Sequence, residues 1–289
     1  MYMANIKVAL IPNDFSMDLA AVCQLCEAEH VRYVELAFMW GKSILDLSDG
    51  ERARVHELLD QHGLEVAAIQ TQIMKTMAPN SVLRKGESRS MARDHAYNVA
   101  QIDKAIELAA DFNTPYIVTY SYFRWGARVT EQNWQQIFAD YASFLPKLQV
   151  AGKAVVVECE PDTYVGTVPE YLKLLQHFEA PEIRANLDLA NLIGAQKWFP
   201  ETDFKQLFPY VGYFHVKDRR KKRVLGATGA VFGEGFVPWR EVLPWFAAAD
   251  FDGYLSVEPH VHGGNRFEQG RQCVRNLQKL LGELNIEFE

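Results

Sequence analysis

The stretch Tyr213-Phe214-His215-Val216-Lys217-Asp218 ends an apolar run with a histidine, a lysine and an aspartate. Val155-Val156-Val157-Glu158 and Leu255-Ser256-Val257-Glu258-Pro259 share that layout, and Ala185-Asn186-Leu187-Asp188 closes in the same way. Each is a short strand-like segment carrying a metal-ligand type at its C-terminal end. In a parallel barrel such ends meet at one rim. Hard divalent ions take carboxylate oxygens, and one imidazole is compatible with Mn2+, Co2+ or Zn2+. The expected centre is therefore one divalent ion on Glu158, Asp188, His215 and Glu258, Mn2+ first, with Mg2+, Co2+ and Zn2+ as alternatives. Coordination positions would stay open for a substrate with two oxygens. The bland alternative is four unrelated polar strand ends, and four on neighbouring late strands outweigh it.

Those segments need a scaffold, and the rest of the chain supplies its pattern. Lys7–Ile11, Tyr33–Phe38, Val66–Ile69, Tyr116–Tyr120, Ala154–Glu158, Ile183–Asp188, Val211–Val216 and Tyr254–Glu258 read as eight strands. Helical spacing separates them at Asp18–Ala28, Ser48–His62, Asp94–Phe112, Trp134–Val150, Thr167–His177, near Phe204–Leu207, and at Trp239–Ala248; Phe267–Leu281 closes the series. Ser48 and Thr167 are expected N-caps, with Glu170 at the capping-box position of the second, and Gly63 and Gly152 are expected stops. Eight βα units without a linker argue for an α/β fold, a (β/α)8 TIM barrel forming a single domain over residues 1–289. An open doubly wound sheet would advertise a glycine-rich first turn, and Pro12-Asn13-Asp14-Phe15 is not one. Met74–Met91 reads as a long loop over the rim.

Composition narrows the function classes. The 289 residues are 48% hydrophobic, enough for a full core, and the net charge of −7 argues against a nucleic-acid partner. No stretch approaches the roughly 18 uncharged apolar residues of a membrane span, and Met1–Asn5 lacks a basic start with an apolar sequel. A soluble cytoplasmic protein is expected. Cys23 and Cys26 lie three apart on one helical face, which reads as two small core residues rather than a redox pair.

Around the four ligands stand further candidates. Lys217 would neutralise a developing oxyanion or pair with Asp218. Glu160, two residues beyond Glu158, would bind a hydroxyl or act as base. Glu35 interrupts an apolar strand, so it points into the barrel or caps a pairing gap. Arg124 and Trp125 belong to an aromatic loop, and His260 is a substrate contact; with Glu35 and Asn191 they complete the expected pocket, His262 being assigned to a solvated loop. The basic run Lys217–Arg223 would attract an acidic substrate, form an interface or simply be solvated.

Several of these segments resemble the xylose isomerase-like TIM-barrel family, the sugar phosphate isomerase/epimerase superfamily. They are Glu158-Cys159-Glu160-Pro161 with Tyr164-Val165-Gly166-Thr167, Asn186–Asn191, Phe214–Asp218 and Val257–His260, and Gly233-Glu234-Gly235 resembles its loop after strand seven. The match covers most of residues 154–260. It implies the same four metal ligands, with Glu158 and Glu258 also moving protons on opposite faces of the substrate, and it suggests a dimer or tetramer. Asn191 departs from the histidine that some epimerase relatives carry there. The expected function is a metal-dependent isomerase or epimerase of a small sugar, polyol or sugar acid, passing through an enolate. A dehydratase of the inosose type would use the same centre, and a non-catalytic sugar-binding barrel is the outlying alternative. A repair nuclease of the endonuclease IV kind needs more histidines near strand ends.

Overall fold

The computed structural model describes residues 5–78, 95–124, 130–221, 227–261 and 265–289. Eight strands form the barrel: β1 (Asn5–Leu10), β2 (Tyr33–Leu36), β3 (Glu65–Gln70), β4 (Tyr116–Thr119), β5 (Ala154–Glu158), β6 (Ile183–Asp188), β7 (Val211–Val216) and β8 (Asp252–Val257). Neighbours pair in parallel, and β1 pairs with both β2 and β8, so no edge is left open. Helices cover the outside and side chains fill the inside, so the strands are buried on both faces and runs such as Val155-Val156-Val157 are apolar throughout.

The helices are α1 (Leu19–Ala28), α2 (Asp49–Gln61), α3 (His95–Asp111), α4 (Glu131–Ala151), α5 (Val168–Phe178), α6 (Leu189–Gln196), α7 (Glu201–Leu207), α8 (Trp239–Ala248) and α9 (Arg266–Glu283). Ser48 and Glu51 form the full reciprocal cap of α2. At α5 the expected box differs. Glu170 accepts from the Gly166 N–H and the Thr167 hydroxyl and also holds Arg124, so the Thr167 oxygen is turned away from the helix N–H groups. Elements near the site without a counterpart in the sequence reading include α6, which starts at the residue after β6, and a hairpin of Asp218–Lys221 with Ala227–Ala230 directly after β7.

Inside the barrel the residue type changes with height. Tyr33, Tyr116, Tyr213 and Tyr254 pack edge-on in the lower half, with ring centroids 5.3–6.3 Å apart where they meet at near right angles. Side chains alternate along a strand, so the inward positions above Tyr213 are His215 and then Lys217. The same alternation carries Val156 up to Glu158, Asn186 to Asp188 and Tyr254 through Ser256 to Glu258. Cys23 and Cys26 are buried in the core, and burial pushes the Cys23 thiol up to about 11 and Cys26 higher still.

Helix α9 closes the barrel against the turn after β1. Gly270 lies so near Phe15 that an added Cβ would meet the ring at 2.7 Å. Gly270→Ala is expected to cost about 1–3 kcal/mol through overpacking, read as a lower urea midpoint at unchanged m-value.

Candidate metal centre

Four inward side chains converge at the C-terminal mouth. One atom each of Glu158, Asp188, His215 and Glu258 fall within 4.8 Å of one another, and all four residues are buried. His215 Nδ1 lies 3.4 Å from Glu158 Oε2 and 3.5 Å from Glu258 Oε2. Glu158 Oε2 and His215 Nδ1 are buried without a hydrogen-bond partner. Buried polar atoms are rarely left so, because the lost hydration costs about 1–3 kcal/mol each. Two orphaned lone pairs aimed at one point, among carboxylates, fit a divalent cation.

Three of the four candidate ligands are held from behind. The other His215 nitrogen, Nε2, sits 3.0 Å and 3.1 Å from the two oxygens of Glu35 and 3.1 Å from the Asn186 amide. A proton on Nε2 bonded to Glu35 leaves Nδ1 with its lone pair towards the centre, the tautomer a metal ligand needs. Glu35 is fully buried inside the barrel, and the β2–β3 register shifts between Val34 and Glu35. Of its two readings, the one that points it into the barrel describes it, and its side chain lies under His215 rather than in the cavity. Asp188 divides its carboxylate: Oδ1 accepts the Asn191 N–H at 2.8 Å as the N-cap of α6, leaving Oδ2 to face inward. Asn191 in turn donates to the Cys159 carbonyl at 2.9 Å and approaches Glu158 Oε1 at 3.4 Å.

Lys217 is not paired with Asp218. Its ammonium stands 2.5 Å from Asp188 Oδ2, 2.7 Å from Glu258 Oε2 and 3.6 Å from Glu158 Oε1. Neighbours in a strand point to opposite faces, so Lys217 turns inward and Asp218 outward. Asp218 instead accepts the N–H groups of Arg219, Gly233, Gly235 and Val237 at 2.9–3.3 Å. It thereby ties the glycine loop to the hairpin, and a Cβ on Gly235 would fall 1.9 Å from Asp218 Oδ1.

The charges set the electrostatics. Burial raises the Glu158 carboxyl, but an imidazolium at His215, favoured by Glu35, Glu158 and Glu258, and the Lys217 ammonium outweigh it and hold it at about 2; a cation bound at Nδ1 would take the place of that ring proton. Burial dominates at Asp188 and pushes it up to about 6 in spite of Lys217. Glu258 is held well below the usual range: burial opposes ionisation, and His260, Lys217 and His215 overcome it. Four carboxylates, counting Glu35, face one ammonium and one imidazole. That excess of buried negative charge calls for a cation.

Above the centre opens a cavity of about 860 Å3, whose floor includes Lys217, Asn191, Glu160 and His260. Glu160 pairs with Lys75 at 2.8 Å, and Lys75 also lies over the Tyr120 ring at 4.1 Å. Lys75 was missed in the sequence, where a lysine in the long loop after β3 carried no local signal. His260, half-exposed with a positive φ of 45°, meets Glu258 Oε1 at 3.0 Å. Arg124 turns away from the cavity, bonding Glu170 and the Pro161 carbonyl. Trp125, His262, residues 79–91 of the long loop, and Lys222 and Arg223 lie outside the described residues.

Glu35→Gln, which keeps the shape but removes the charge behind His215, is expected to weaken divalent-metal affinity about 10–100-fold. Calorimetric titration with Mn2+ checks this, with the thermal unfolding of the metal-free protein as the control for folding.

Comparison with known proteins places this geometry. The profile of the xylose isomerase-like TIM barrel family matches residues 23–279. A 3-dehydroshikimate dehydratase of Bacillus anthracis is 25% identical over 214 residues, covering 68% of this chain and 72% of that protein. Among solved structures, an L-ribulose 3-epimerase superposes with a TM-score of 0.75 at 14% identity, covering 97% of this chain and 96% of that one. A xylose isomerase-like TIM barrel protein of Mycobacterium smegmatis, solved in complex with magnesium, gives 0.68 at 16% identity, covering 98% and 100%. With most of its length matched, the chain belongs to the xylose isomerase-like TIM barrel family.

Proposed function

We propose that this protein is a divalent-metal-dependent enzyme that moves a proton at a carbon next to a carbonyl, on a small polyhydroxylated substrate. The observation that carries this reading is the set of Glu158, Asp188, His215 and Glu258 at the ends of β5–β8, with unpartnered lone pairs facing one another under an open cavity. A divalent ion held there would polarise the substrate carbonyl and stabilise negative charge on its oxygen. The residues do the rest. Glu158 and Glu258 come from different walls of the mouth, so one can take a proton and the other return it. Glu160 is the alternative base: it lies outside the ligand set, faces the cavity and has its carboxyl raised by burial. Lys217 fits the role of an oxyanion partner. A divalent ion beside the carboxylates would repel its ammonium toward the cavity that it already lines.

Return of the proton makes an isomerase or epimerase, the outcome supported by two carboxylates on facing walls. Loss of a β-hydroxyl from the same carbanion makes a dehydratase, and the 25% identical dehydratase relative favours that second outcome. Mn2+ suits three oxygens and an imidazole best, with Mg2+, Co2+ and Zn2+ as alternatives. We propose a cytoplasmic enzyme working as a dimer or tetramer without nucleic acid; among the described residues no helix is long and apolar enough to cross a membrane.

Incubation with 3-dehydroshikimate, L-ribulose and D-tagatose in 2H2O, followed by mass spectrometry, separates the outcomes. Deuterium entering a recovered isomer marks the epimerase, and loss of 18 mass units marks the dehydratase, the mass of one water. Chelator should abolish either, and Mn2+ should restore it. Turnover that survives complete metal removal would refute the reading.

A further inference from the structure

The cavity has a second charged region, away from the metal centre. Arg219 and Lys221 lie two apart on one strand of the hairpin after β7, and both line the cavity. Arg220, between them, turns the other way and pairs with Glu234. From the opposite side, Lys197 follows the end of α6 and lines the same space. Among the described residues, the side chains of Arg219, Lys221 and Lys197 form no ion pair or hydrogen bond. Acidic residues outnumber basic ones in the chain, yet none of them meets these three side chains. The other charges at this cavity are largely accounted for: Lys217 by the ligand carboxylates and Glu160 by Lys75. Among the described residues lining it, Asp162 adds an unpaired carboxylate.

Room for a ligand group is built in beside these cations. Arg219 Nη1 lies 3.9 Å from where a Cβ of Gly194 would stand, which sets the guanidinium beside α6 on the cavity wall. Trp198, next to Lys197, lines the same cavity while 59% exposed, a large apolar surface left uncovered. Ile193 and Phe236 extend that apolar side.

We propose that this outer wall is an anion subsite, and that the substrate is a hydroxy-keto acid. Its reacting carbonyl lies at the metal centre, and its carboxylate reaches Arg219 and Lys197. The inference rests on the proposed function for the reacting end and adds the chemistry of the other end. A planar guanidinium pairs with a carboxylate through two parallel hydrogen bonds. The wall offers side-chain cations without a helix N-terminus, since α6 ends here, and a singly charged carboxylate depends less than a phosphate on added backbone N–H groups. Trp198 offers a flat face to the carbon frame between the two ends.

The test compares 3-dehydroshikimate with its methyl ester, identical in frame and lacking the charge. Binding is measured by calorimetry on the metal-loaded protein, on Arg219→Gln and on Lys197→Gln. The acid should bind at least about tenfold more tightly than the ester in low salt, in keeping with a charge-assisted pair. Salt at 300 mM should narrow the gap, because Lys197 is exposed and Arg219 is only half-buried. Arg219→Gln should weaken the acid about tenfold while leaving the ester and the metal content unchanged, and Lys197→Gln should do the same to a smaller extent. Equal affinity for acid and ester, no affinity for either, or a gap that survives both substitutions would overturn the subsite. Failure of the metal reading shows separately, as a native protein that takes up no metal.

Discussion

Everything at the mouth of this barrel follows from one constraint: several carboxylates buried together cannot all stay ionised without a cation among them. Glu158, Asp188 and Glu258 converge on His215, and Glu35 adds a fourth negative charge below it. Lys217 enters the gap and meets three of them. Its single charge does not balance the group, and Glu158 Oε2 and His215 Nδ1 remain without partners. A barrel tolerates this arrangement because strands and helices fix the backbone from all sides, leaving little freedom for the ligands to move apart. The supporting contacts serve the same end: Glu35 sets the imidazole tautomer, and the α6 N-terminus takes one oxygen of Asp188 so that the other faces inward.

The proposed chemistry needs that concentration of charge and also needs a way in. The cavity above the centre is bounded by the hairpin after β7 and by α6, and both are anchored by residues next to the ligands. Asp218 follows Lys217 and gathers three backbone N–H groups of the glycine loop and that of Arg219 in the hairpin. Asp188 is at once a proposed ligand and the cap of α6. The walls that would recognise a substrate are thus fixed to the residues that would transform it, which limits the freedom to be lost on binding.

Much of this was readable in the sequence, for a definite reason. Strand residues alternate faces, so a polar type at the end of an apolar parallel strand has few places to go but the barrel mouth. The eight strands and the four ligand candidates rest on that rule. The same rule, applied once more, would have separated Lys217 from Asp218, which adjacency in sequence had suggested as a pair. Glu35 was visible as an anomaly, but its contact with His215 spans 180 residues and has no local signature. Lys75 acquires meaning only where the fold brings it to Glu160. Helix α6 was missed because its eight residues are short and its cap, Asp188, was read as the end of a strand. The rim candidates divide accordingly: Asn191, Glu160 and His260 gather at the cavity, whereas Arg124 braces a loop.

The most direct measurement of the central claim is metal content by mass spectrometry, on the purified protein dialysed against Mn2+, beside Glu158→Gln and His215→Ala. The account predicts about one ion per chain in the parent and its loss in both variants, with each variant still folded. A folded parent that takes up no ion from excess Mn2+, Mg2+, Co2+ or Zn2+ would contradict it. Lys217 would then be the centre's own cation.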